Sequence, residues 1–156
     1  MLLTASVNSG AIGQKAPYIY GIMALDFPVL YIGQTLSWSG AIGRLAQHLS
    51  TGTDGNTLRK RVSSVLGYDD VEIGQVEFAA FRLLDRVKFT DRVPDYREAV
   101  EALVQYSILN KMEENGLGCL VVSQVTVDIK TSDRLVKIQA AQATEELYQW
   151  VCRLLG

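Results

Sequence analysis

The chain of 156 residues has one histidine, His48, and two cysteines, Cys119 and Cys152. A structural zinc site takes four Cys or His ligands, so none is supported. The cysteines lie far apart without a Cys-x-x-Cys spacing and read as reduced core residues. A histidine-dependent triad would have to use His48, and no Gly-x-Ser-x-Gly run accompanies it. No apolar run approaches the roughly 18 residues of a membrane span. The opening Met1-Leu2-Leu3-Thr4-Ala5 lacks a basic leader and a long apolar segment, which argues against a signal peptide. The expectation is a soluble, cytoplasmic protein with no membrane partner. Repeats and low-complexity tracts are missing. A net charge of −2 lacks the positive excess of a strong, independent nucleic-acid binder.

What is present is ordinary globular composition, 48% apolar and 21% charged, enough for one domain with a single substantial core. The charge is uneven. Up to Val65 the cations Lys15, Arg44, Arg59, Lys60 and Arg61 face only Asp26 and Asp54, a local charge of +3. The remaining ten cations and fifteen acids give −5. Phosphate-facing chemistry fits the first half best.

Residues 1–16 are small and polar, a loose lead-in. Tyr18–Leu25 and Val29–Gly33 read as strands joined through Asp26-Phe27-Pro28. Gly40–Ser50 carries Ile42, Leu45, Ala46 and Leu49 at helical spacing. Thr51–Asn56 is a connecting loop. Thr57–Leu66 is a short basic helix ended by Gly67. Val71–Leu84 is strand-like, with Val76, Phe78, Ala80 and Arg82 on one face. Pro94-Asp95 opens a helix that runs to about Glu114 and stops at Asn115-Gly116. Leu120–Ile129 is strand-like, and Ser132 caps a last amphipathic helix ending near Leu155. The order predicts an α+β fold: a small mixed or antiparallel sheet flanked by helices. Residues 17–115 form the domain proper, and 116–156 form a C-terminal strand-helix extension packed on it. In that extension Leu135, Ile138, Leu147, Trp150, Val151 and Leu154 make an apolar stripe, for core packing or for a homodimer interface.

One run concentrates polar groups. Tyr18-Ile19-Tyr20 is followed, ten residues on, by Tyr31-Ile32-Gly33, and then by Arg44 and His48. Alternate strand residues share a face, so Tyr18 and Tyr20 point the same way and Tyr31 can lie beside them. Arg44 and His48, at i and i+4, stack on one helix face. A divalent cation needs hard oxygen ligands, and the long helix offers Glu98 and Glu101.

This set resembles the GIY-YIG nuclease family, whose first motif is Gly-Ile-Tyr and whose second is Tyr-Ile-Gly. The resemblance covers roughly residues 17–115. Arg44 and His48 match the family's arginine and histidine on its first helix. Glu101, followed by apolar residues, best matches the metal-binding glutamate, with Glu98 as runner-up. Asn110 and Asn115 are candidates for an asparagine that often follows. Tyr18 departs from the pattern, standing where the family has glycine, which bears on substrate geometry.

The resemblance implies a divalent-metal-dependent DNA endonuclease with a GIY-YIG-like layer. Arg44 would relieve charge on phosphate oxygens. Glu101 would hold one Mg²⁺ or Mn²⁺. Tyr20 would act as base toward water, although its reference pKa of about 10 requires help from its neighbours. Tyr31 would position the water or a phosphate oxygen, and His48 would relay a proton or bind phosphate. The residues by themselves leave Tyr20 and His48 open as the base. Arg59, Lys60 and Arg61 would grip the DNA backbone, with Gln34 and Thr35 contacting phosphate. A homodimer or a recruiting protein partner would supply what the weak net charge does not. The alternative is a catalytically silent GIY-YIG-like module for nucleic-acid binding or assembly.

Overall fold

The computed structural model describes residues 12–50, 57–67, 73–123 and 129–156. Strand β1 (Tyr18–Ala24) carries no charged side chain and is buried at every position. A strand covered on both faces reads as a continuous apolar run, and this one sits inside the sheet. β2 (Val29–Thr35) pairs antiparallel with β1, setting Tyr20 opposite Gly33 and Ile22 opposite Tyr31. β3 (Val76–Arg82) pairs antiparallel with the other edge of β1. β4 (Leu120–Val121) runs parallel to β2 beside Val29 and Leu30. The four-stranded sheet is therefore mixed, in the order β3-β1-β2-β4, and the fold is α+β.

Among the described residues five α-helices flank it: α1 (Gly40–Leu49), α2 (Thr57–Leu66), α3 (Val87–Thr90), α4 (Asp95–Glu114) and α5 (Arg134–Leu155). On one face of the sheet, Tyr20, Ile22, Val29 and Tyr31 pack with Leu58 and Val62 of α2 and with Leu45 of α1. On the other, Ile19, Met23, Leu30 and Ile32 pack with Val100, Val104 and Ile108 of α4 and Val136, Leu147 and Val151 of α5. One buried cluster thus joins the C-terminal helix to the sheet. Gly21 on β1 makes room for it, because a Cβ there would stand 2.9 Å from the Trp150 ring.

Several elements differ from the sequence expectation. β3 starts at Val76, because the Asp26 carboxylate accepts the Gly74 and Gln75 amides at 2.8 and 3.0 Å. Those amides are spent on a side chain of the β1–β2 turn. α3 lies in what reads as a connection. Of the strand expected over Leu120–Ile129, Leu120 and Val121 pair with β2, and residues 124–128 lie outside the described residues. Ser123 Oγ then donates to the Ile32 carbonyl at 2.9 Å and replaces the ladder. Ile129–Ser132 is a 3₁₀ turn, with Ile129 exposed. Asp133, not Ser132, caps α5: its carboxylate accepts the Leu135 and Val136 amides, while the Ser132 hydroxyl donates back to the Ile129 carbonyl. The buried stripe of α5 runs through Val136, Ala140, Ala143, Leu147 and Val151, leaving Ile138 exposed. The expected lead-in 1–16 and loop Thr51–Asn56 lie largely outside the described residues. No described helix is long and apolar enough to cross a membrane.

Candidate active site

Tyr20 and Tyr31 are diagonal neighbours on the α1–α2 face of the β1–β2 pair, their ring centroids 6.2 Å apart. The register puts Gly33 directly opposite Tyr20, and the Tyr20 phenol lies over it. A Cβ at Gly33 would collide with the Tyr20 hydroxyl, so the glycine of the second motif is the floor on which the tyrosine of the first one lies. α1 then brings His48, which is 1% exposed, 4.9 Å from the Tyr31 ring.

His48 Nε2 is 2.8 Å from the Tyr20 hydroxyl, and its Nδ1 accepts the Leu58 amide at 3.3 Å. An Nδ1 that accepts carries no proton, so the neutral ring holds its proton on Nε2. His48 therefore donates to Tyr20, whose oxygen is the acceptor. Burial, aided by the Arg44 charge, pulls the imidazole down to about 4. It is uncharged at neutral pH with both nitrogens engaged, which leaves it no cationic hold on a phosphate.

Arg44, one turn before His48, is half-buried and donates to the Gln47 side chain at 2.6 Å. Its charge reaches Tyr20, Tyr31, His48 and Glu101 alike. Burial holds both phenols above their usual range, and Arg44 pulls both back. Glu101 comes from α4, which runs past the half of β2 that β4 leaves open. Arg97, Glu101 and Gln105 stand at i, i+4 and i+8, a polar stripe that is buried. Arg97 Nε donates to Gln34 Oε1 at 2.9 Å. Gln105 Nε2 lies 3.4 Å from the Ile32 carbonyl and 3.1 Å from Glu101 Oε1, donating to both. Burial, with Glu98 adding to it and Arg44 opposing, pushes the Glu101 carboxyl up to about 8.

Tyr20, Tyr31 and His48 of the expected catalytic set therefore touch one another, and the Arg44 and Glu101 charges reach the two phenols. The remaining expected contacts divide. The Arg61 charge reaches Tyr31, and Lys60 is exposed while Arg59 is half-buried on the same helix. Gln34 is turned away from the tyrosines and taken by Arg97. Thr35 is buried, and its hydroxyl accepts the Ser37 amide at 3.0 Å. Asn115 closes the end of α4 on the Lys111 carbonyl. Asn110 lies about 13.5 Å along the helix from Glu101 at 1.5 Å per residue. Tyr18 does not narrow the site: its ring packs with Ala16 and Ala41, and its hydroxyl donates to the Gln14 carbonyl.

Among the described residues no cluster of three or more His, Cys, Asp or Glu can hold a metal ion. The donor set still fits Mg²⁺, which takes one or two carboxylates and completes its shell with water and substrate phosphate. Glu101 supplies one, and exposed Glu98, a turn earlier, lies within electrostatic range of it. Arg97 and Gln105 were invisible as site residues in the sequence; their signal is the polar i, i+4, i+8 stripe on an otherwise apolar helix. No family model, curated protein or solved structure matches the chain.

Proposed function

We propose that this protein is a divalent-metal-dependent DNA endonuclease of the GIY-YIG type. One observation carries the reading: Tyr20, Tyr31 and His48 pack on one another, with His48 Nε2 2.8 Å from the Tyr20 hydroxyl, within reach of the Arg44 and Glu101 charges. A fold that needed only a core would not bury a carboxyl, two phenols and an imidazole around one arginine.

In this reading Arg44 binds a non-bridging phosphate oxygen with its planar fork. Glu101, ionised, holds the cation, and Gln105 fixes its carboxylate by donating to Oε1. The bound Mg²⁺ or Mn²⁺ supplies charge neutralisation at the phosphate and at the departing 3′ oxygen. Tyr20 first gives its own proton to a solvent water and, as phenolate, takes one proton of the attacking water as the oxygen bonds to phosphorus. His48 Nε2–H stabilises that phenolate and aims it. Tyr31 orients the water or a phosphate oxygen, and Arg61 adds positive potential beyond it. His48 is thus a positioning residue and Tyr20 the base.

The test is conversion of supercoiled plasmid to the nicked form with Mg²⁺, with chelator, and with Mg²⁺ restored. Cleavage that stops with chelator and returns with metal supports the proposal. DNA binding without cleavage in any divalent metal overturns it in favour of a silent binding module.

A further inference from the structure

Past the C-terminal end of β2 lies a partly open cavity of about 450 Å³ lined by Lys15, Leu36, Trp38, Arg92 and Arg97. Three of its five lining residues are cations. Arg97 is 4% exposed. Its hydrogen bonds go to Gln34 Oε1 and to the Phe89 and Asp91 carbonyls, all neutral acceptors. Asp91 and Glu98 reach it only through space. A buried cation normally meets a bonded counter-charge, so this wall of the cavity favours an anion. Trp38 is 82% exposed. Lys15 Nζ stands 3.7 Å from its ring centroid, which places an ammonium group against an indole that still offers most of its surface.

We infer that this cavity holds one unpaired nucleotide of the DNA strand, its base stacked on Trp38 and its phosphate held by Lys15, Arg92 and Arg97. The inference rests on the nuclease reading for its ligand. Exposed aromatics beside cations are how single strands are held without sequence preference. The position also fits. Arg97 precedes Glu101 by one turn of α4, about 6 Å along the axis, so the cavity and the proposed metal-binding carboxyl share one helix.

The experiment uses the full chain, metal-free to prevent cleavage, with a fluorescent oligothymidylate strand. Tryptophan emission and anisotropy are read together. Wild type should show quenched emission on binding. Trp38→Ala should lose the quenching and bind at least about fivefold more weakly, while Trp38→Phe keeps most of the affinity. The double variant Lys15→Ala, Arg92→Ala should lower the slope of log affinity against log salt by about 1.4, two charges at about 0.7 each. Unchanged affinity in Trp38→Ala and in the double variant, or no binding by wild type, overturns the inference. Adding Mg²⁺ separates the two proposals. Cleavage by Trp38→Ala with wild-type KM refutes the cavity and leaves the nuclease reading intact. Quenching without cleavage in wild type keeps the cavity and refutes the nuclease.

Discussion

Burial and chemistry pull Glu101 in opposite directions. Its carboxyl is pushed up to about 8 in the folded chain, from an ordinary 4.5, so the metal-free protein resists ionising it. A group whose pKa rises on folding contributes stability below its unfolded pKa and loses it as pH climbs through the folded value. For the metal-free protein, Glu101→Gln should therefore raise Tm by several degrees at pH 9. The advantage should fade toward pH 4, as thermal melts across that range would register. Cleavage should rise from pH 6 to 9, because the ionised carboxylate and the Tyr20 phenolate are both needed. Tyr20→Phe keeps the ring over Gly33 and leaves the buried His48 Nε2–H without its acceptor, a stability cost of about 1–3 kcal/mol. Its cleavage rate should fall about 10²- to 10⁴-fold, measured in single turnover. The spacing of the tyrosines, Arg44 and His48 made them legible from sequence. Arg97 and Gln105 were not, because helical polar residues are usually solvated and their β2 partners lie 63 and 73 residues away.

Strand pairing explains why the second motif ends in glycine. The β1–β2 register places the Tyr20 phenol on Gly33, so Gly33→Ala should displace the ring. The expected cost is about 1–3 kcal/mol, as for other overpacked sites, read from urea melts, with cleavage lost even where the protein stays folded. Apolar pattern located β1, β2 and α1 closely, and end signals located α2, at Gly67, and α4, at Pro94-Asp95 and Asn115-Gly116. Strand ends were not legible, because two side chains, Asp26 and Ser123, take backbone groups that a longer ladder would have used. The short helix α3 carries only four residues, too few to show a period. α4 misleads in another way: it is apolar toward α5 and polar toward β2, so its buried acid looks like a surface one.

At the scale of the whole molecule, the C-terminal helix shares one buried cluster with α4 and the sheet, and α4 carries Glu101 of the proposed catalytic site on that core. Leu147→Ala should cost about 2–5 kcal/mol. Its urea midpoint for loss of cleavage should coincide with that for loss of helix signal, since α4 cannot hold Glu101 in place without α5. The sequence pattern foretold an α+β layer with a last helix packed on it, but not which sheet face that helix covers, because this is decided by contacts far apart in the chain. The central claim is that Arg44, Glu101 and Tyr20 act together on one phosphodiester. The most direct measurement is plasmid nicking at matched Mg²⁺ and pH by wild type beside Arg44→Ala, Glu101→Ala and Tyr20→Phe, each shown to be folded. The account predicts nicking by wild type and its loss, by at least about a hundredfold, in all three variants. Nicking that persists in folded Arg44→Ala or Glu101→Ala would contradict it.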